Sequence, residues 1–222
     1  MSRPRLLLSW SSGKDSAWAL HRLRLSGEYD IAGLVTTINE EFSRVAMHGV
    51  RDTLLAAQAD AAGLPLWSIP IPYPCSNAEY EQRMRALIGD ALAAGVTHMA
   101  FGDLFLEDVR DYRIRQLAGT GITPVFPLWG LPTARLARDM IAAGLAATLS
   151  CVDPRQLAAE HAGRAFDAAL LAALPDTVDP CGERGEFHTF CHAGPMFRAP
   201  LAVVTGEVVE RDGFVFADIL PA

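Results

Sequence analysis

The segment Ser9-Trp10-Ser11-Ser12-Gly13-Lys14-Asp15-Ser16 concentrates residue types that hold phosphate. Small residues let backbone amides approach an anion, and a helix opening at this point would add its positive end. The hydroxyls of Ser9, Ser11, Ser12 and Ser16 are further donors, and Lys14 can neutralise charge. Asp15 would repel a bare phosphate, so it makes sense as a Mg2+ ligand or as a helix cap, and Ser12 is a second candidate cap. Lys14 beside Asp15 points to a nucleotide carrying a metal. The order Gly-Lys-Asp-Ser is not the Gly-Lys-Ser/Thr of a Walker loop, nor is the segment a Gly-x-Gly-x-x-Gly dinucleotide turn.

Three later groups could join this chemistry. Gly102 and Asp103 follow Met99-Ala100-Phe101 at what would be the carboxyl end of a parallel strand, where ligands of open α/β sheets bind. Asp103 is either a carboxylate facing metal or substrate, or the cap of the next helix. Glu107, Arg110 and Arg113 recur every third residue, as on a solvated helix face, while Arg110 or Arg113 could instead grip a phosphate or carboxylate. Cys181-Gly182-Glu183-Arg184-Gly185-Glu186-Phe187-His188-Thr189 sets two carboxylates on a glycine-containing loop, able to hold an ammonium, a metal ion or substrate. Cys181, His188, Cys191 and His192 lack the Cys-x-x-Cys clamp expected of zinc.

These groups need a scaffold, and the chain spells one out. Leu6-Leu7-Leu8 is a short apolar run, followed by the phosphate segment and a helical pattern of Ala17, Leu20 and Leu23. Further strands are expected at Ile31–Thr37, Leu66–Ile69 and His98–Phe101, alternating with helices at Arg51–Ala62, Ala78–Ala94 and Leu106–Leu117. Strands separated by single helices require right-handed crossovers and a parallel sheet. A short extended piece from Thr123, a helix over Thr133–Ala143 and a strand over Ala147–Val152 continue the order more loosely. Beyond Pro175 the chain is rich in turns, and Val208–Arg211 and Phe214–Phe216 flank Asp212-Gly213 as a hairpin. The expectation is an α/β fold, a three-layer parallel sheet over residues 1–152, with a small β-rich C-terminal portion over residues 153–222.

The phosphate segment resembles the Ser-Gly-Gly-x-Asp-Ser loop of the PP-loop ATP pyrophosphatases, with Ser12 in place of the first glycine; Ser is tolerable there unless a positive φ is needed. Together with Phe101–Arg113, Phe126-Pro127-Leu128-Trp129 and Asp179–Phe190, it resembles the diphthine–ammonia ligase family over nearly the whole chain. That resemblance implies a Rossmann-like fold of the HUP type and an enzyme that adenylates a carboxylate with ATP, releases pyrophosphate and lets ammonia displace AMP. It further implies Thr36, Thr37 and His48 near the nucleotide and Cys181, Gly182 and Thr189 near the acceptor. Glu183 or Glu186 would position ammonia, and Asp15, with Asp103, would hold Mg2+. Arg110 and Arg113 stand three apart where archaeal and eukaryotic members show arginines two apart, which resembles a bacterial-type branch and leaves the carboxylate acceptor open, a protein-borne acid included.

Bulk properties fit such an enzyme. The chain has 222 residues, 50% of them hydrophobic and 20% charged, enough for one packed α/β domain with a modest appendage. A formal charge of −7 argues against general affinity for nucleic acid. That weighs against the rival reading of a PP-loop sulfur transferase acting on tRNA, while a non-catalytic ATP- or AMP-binding module is the rival from another class. No run approaches the roughly 18–20 apolar residues of a membrane span. Met1–Arg5 leads straight into a strand, so a cytoplasmic enzyme with reduced thiols, free to form a homodimer, is expected.

Overall fold

The structure, a computed structural model, describes residues 2–39, 41, 44–45 and 50–222, with residues 44–45 described by their backbone alone. Strand β1 (Arg5–Ser9) leads through the phosphate segment into helix α1 (Lys14–Ser26), then β2 (Asp30–Asn39) and a two-residue β3 (Arg44–Val45). Helix α2 (Asp52–Ala62), β4 (Leu66–Ile71), α3 (Asn77–Ala93), β5 (Val96–Ala100), α4 (Glu107–Leu117) and β6 (Thr123–Val125) follow. The parallel strands lie in the order β4-β2-β1-β5-β6, and β3 adds a short antiparallel pair at the far end of β2.

Burial explains why these segments became a central sheet. Leu6 and Leu8 face one core with α1 and α2, while Leu7 between them faces a second core with Leu87, Ile88 and Ala91 of α3. Alternate residues of β1 thus serve opposite layers, as a strand buried on both faces requires. Pro70 sits inside β4, although the sequence suggested that the strand stops before it; β4 is an edge, so the missing N–H removes no ladder bond on its open side. Chain order runs from β1 outward to β4, then jumps back to β5 on the other side of β1. That reversal opens a crevice between the carboxyl ends of β1 and β5.

After α5 (Thr133–Ala142) the architecture changes. β7 (Ala146–Val152), α6 (Ala168–Ala173), β8 (Phe187–Ala193), β9 (Val203–Arg211) and β10 (Phe214–Pro221) supply a second, antiparallel sheet ordered β8-β7-β10-β9. β7 therefore hydrogen-bonds with the C-terminal strands and not with the parallel sheet it follows in sequence. The β9–β10 hairpin is longer than its sequence signal but turns where expected, with φ of 52° at Asp212 and 79° at Gly213. Phe187, Phe190 and Cys191 of β8 lie in the same core as α1 and α2, so the small sheet packs directly behind the phosphate segment. Among the described residues no helix is long and apolar enough to cross a membrane.

Candidate active site

The chain leaves β1 at Ser9 and enters α1 at Lys14, and Gly13 caps that helix without any side-chain hydrogen bond. Neither Ser12 nor Asp15 caps the helix. Ser11 Oγ lies 3.2 Å from Ser16 Oγ and accepts from Gly13 N at 3.3 Å, drawing the loop into a tight coil. Lys14 N donates to Thr189 Oγ1 at 3.1 Å. A Cβ at Gly13 would come within 3.2 Å of Thr189 O, and one at Gly102 within 3.1 Å of the Asp15–Ser16 backbone. Both glycines therefore permit close approaches, of β8 and of the end of β5, to the same loop.

Ser12 departs from expectation. Its φ is +68°, so a serine occupies the left-handed conformation that a glycine would adopt without strain. Its side chain is fully buried, and Oγ has no hydrogen-bond partner among the described residues. The Ser12 carbonyl is well used: it accepts from Gln58 Nε2 at 2.9 Å and from Cys191 N at 2.9 Å. Gln58, fully buried on the apolar face of α2, also donates to Cys191 O at 2.6 Å and accepts from Trp10 Nε1 at 2.8 Å. This residue was not singled out from sequence, and its one signal is a polar side chain interrupting the stripe Leu54, Leu55, Ala59 and Ala62.

A cleft of 420 Å³ opens over the loop, lined at one end by Ser9, Ser11, Gly13, Asp15 and Ser16. Thr36 and Thr37 of β2 form a polar side, while Ile69, Tyr80, Met84 and Met99 form an apolar one. Gly102, Asp103 and Arg113 close it from β5 and α4, and Gly182, Glu183, His188 and Thr189 from the C-terminal portion. Its size and mixed lining suit a small-molecule ligand. His48 falls outside the described residues.

The charged groups divide by what they touch. Lys14 is only 2% exposed; its ammonium donates to Asp15 Oδ2 at 2.8 Å and to the Cys181 carbonyl, and it stands over the Phe166 and Phe187 rings. Burial works against this charge, but Asp15, Cys181 and Glu183 together outweigh it and raise the pKa above the ordinary lysine value. Lys14 therefore offsets Asp15 from below and clamps the C-terminal loop to α1. Asp15 Oδ1 and Asp103 Oδ2 are buried without hydrogen-bond partners among the described residues, and the latter lies 3.8 Å from Arg113 Nε. Burial, only partly relieved by Arg113, raises the Asp103 pKa. Since α4 is capped at Leu106, Asp103 is not a cap either.

Glu183 Oε1 accepts from Leu104 N at 2.7 Å and Phe105 N at 3.4 Å, which anchors its carboxylate at the cleft. Burial first, with Asp15 and Asp103 adding to it, pushes its pKa up to about 7. Glu186 is different: it is 1% exposed, and its oxygens accept from Asp179 N at 2.8 Å and Arg184 N at 2.9 Å. It braces the loop from behind and does not line the cleft. Asp179 does similar work, accepting from Cys181 N, Glu183 N and Thr133 Oγ1. Cys181 is buried with its thiol on the Thr133 carbonyl, burial pushing its pKa well up, while burial and Lys14 push His188 down to about 4.

Arg113 lies over the Phe101 ring at 5.0 Å, and Arg110, outside the cleft proper, lies over Trp129 at 4.6 Å and Phe126 at 5.7 Å. The face of α4 thus carries stacked guanidinium groups and not simply solvated charges.

The cleft is suited to Mg2+ with a nucleotide. Mg2+ is ordinarily held by one or two carboxylates together with phosphate oxygens and water. Asp15 Oδ1 and Asp103 Oδ2, which accept no hydrogen bond among the described residues, supply carboxylate oxygens beside an amide- and hydroxyl-lined loop. Among the described residues there is no cluster of three or more His, Cys, Asp or Glu able to hold a metal by protein groups alone.

Residues 5–119 match the family model described as the diphthamide synthase N-terminal domain, and residues 132–219 match that of the diphthamide synthase C-terminal domain. No curated protein sequence matches the chain significantly.

Proposed function

The chain belongs to the diphthamide synthase family, and from that premise we propose that it is an AMP-forming carboxylate–ammonia ligase, activating an acid with ATP and releasing pyrophosphate. The observation that carries this reading is the single cleft in which the Ser9–Ser16 loop, two carboxylate oxygens that accept no hydrogen bond among the described residues and the 182–189 loop meet. A site for phosphate alone would need neither the second carboxylate nor the C-terminal wall.

In this reading the Ser11–Ser16 loop and the first amides of α1 cradle phosphate oxygens, and Thr36, Thr37 and the apolar side hold the base. Mg2+, when bound through Asp15 and Asp103, would neutralise charge on the departing pyrophosphate. Lys14 holds Asp15 in place, and Arg113 steers the acceptor carboxylate toward the α-phosphate. Glu183, poised near neutrality, takes a proton from ammonium so that ammonia can attack the activated acyl carbon and expel AMP. The chain divides in function near residue 152, the first part handling nucleotide and the second closing the acceptor side. Sulfur transfer is disfavoured because Cys181 and Cys191 are buried with thiol pKa values raised by burial, the reverse of a reactive sulfur.

Asp15→Asn tests the reading. With ATP, ammonium and a panel of carboxylic acids, it is expected to abolish Mg2+-dependent pyrophosphate release while circular dichroism stays unchanged. Undiminished turnover would remove Asp15 from the site. Tight nucleotide binding by the unmodified protein without turnover on any acid would favour a binding module.

A further inference from the structure

Phe101 lines the cleft, Phe126 stacks on it at 5.7 Å, and Trp129 meets Phe126 edge-on at 6.1 Å. The three rings form a continuous shelf running from the cleft outward under α4. Arg113 lies on its inner end and Arg110 on its outer end. The arginines are one turn apart, so their side chains leave the helix about 5–6 Å from each other on one face.

Their surroundings differ. Arg113 has a carboxylate 3.8 Å away in Asp103. Arg110 has no carboxylate partner among the described residues, and this alone sets the two apart, since the buried Nε of neither arginine makes a hydrogen bond there. A guanidinium fixed on aromatic faces keeps its planar edge of donors free and pre-oriented, which suits bidentate recognition of a carboxylate or phosphate.

We infer that Arg110 is a specificity-determining anion receptor, and that the acceptor acid carries a second anionic group, carboxylate or phosphate, beside the carboxylate that is activated. This rests on the ligase reading for the identity of the first carboxylate, which Arg113 orients. The second anion docks on Arg110 one helix turn outward.

Calorimetric titration with α,β-methylene-ATP present, which prevents turnover, separates this inference from the ligase reading. The probes are glutarate, 3-phosphonopropionate and the monoanion butyrate. Wild-type protein is expected to hold at least one dianion about tenfold or more tighter than butyrate, and the better of the two identifies the second group. Arg110→Gln should erase that preference while the affinity for the nucleotide analogue stays within about twofold. Arg110→Lys, which keeps the charge but loses the planar fork, should retain only part of the preference and serves if the Gln variant does not fold. Equal binding of dianions and butyrate by the wild type, or an undiminished preference in both variants, would overturn the inference. An Arg110-dependent preference in a protein that never forms AMP would leave the receptor standing and overturn the ligase reading instead.

Discussion

Replacing Gln58 by Met, of similar length and flexibility, removes the polar hub beneath the phosphate loop with little change in volume. Trp10 Nε1 loses its acceptor at 2.8 Å and the Cys191 carbonyl loses its donor at 2.6 Å, both in a fully buried setting. The Ser12 carbonyl loses one of two donors and keeps Cys191 N. An orphaned buried group costs about 1–3 kcal/mol, so two of them predict a loss of roughly 4 kcal/mol. For a chain of this size that corresponds to a melting temperature lower by roughly 8–16 °C. Urea unfolding and thermal melts of Q58M measure it. Trp10→Phe supplies the internal check: where the indole N–H is already gone, Q58M should cost about 1–3 kcal/mol less than in the wild type. Nucleotide affinity should fall as well, because the carbonyl that fixes the loop at Ser12 loses a restraint. A cost below about 1 kcal/mol, or strict additivity with W10F, would show that the hub does not hold the loop.

Ser12→Gly should stabilise the protein by about 1 kcal/mol more than Ser12→Ala does, since both remove a buried hydroxyl that has no hydrogen-bond partner among the described residues and only the glycine also relieves the φ of +68°; equal melting temperatures for the two variants would refute this. Glu183 has a folded-state pKa raised to about 7, so the folded state binds its proton more tightly than the unfolded chain does. Its contribution to stability is fully present below the ordinary carboxylate pKa and is lost as pH rises through about 7. Urea midpoints between pH 5 and 7.5 should therefore fall more steeply in the wild type than in Glu183→Gln, and parallel curves would count against the assignment. Glu186→Gln replaces one of the two oxygens that accept loop amides with a donor, so it should cost about 1–3 kcal/mol and speed proteolysis of the 179–186 loop, and unchanged stability would refute its bracing role.

Much of this arrangement could be read from residue types, and the failures have physical causes. That the Ser9–Ser16 turn, Gly102 and Asp103 lie at strand ends and line one cleft was legible because a small-residue turn between strand and helix, and a carboxylate just after a second strand, are local patterns. The parallel alternation was legible through periodicity for the same reason. β7 was legible as a strand but its sheet was not: its burial suits either one, and only its antiparallel partners β8 and β10, far along the chain, decide the matter. Ser12 is small enough to stand in for glycine, but its cost lies in the backbone angle of +68°, which residue type does not reveal. Glu183 and Glu186 look alike on a glycine-containing loop. One accepts amides of the β5–α4 connection at the cleft, and the other accepts its own loop's amides from behind. The aromatic shelf was visible as Phe126 and Trp129 within a motif, yet its pairing with Arg110 needs the crossing of α4 over the segment that follows β6.

The most direct test follows the phosphorus of ATP. Phosphorus NMR of the wild-type protein with ATP, Mg2+, ammonium and a dianionic acid should show AMP and pyrophosphate forming in equal amounts, dependent on the acid. ADP and inorganic phosphate as the products would place cleavage at the wrong bond and contradict the account at its centre.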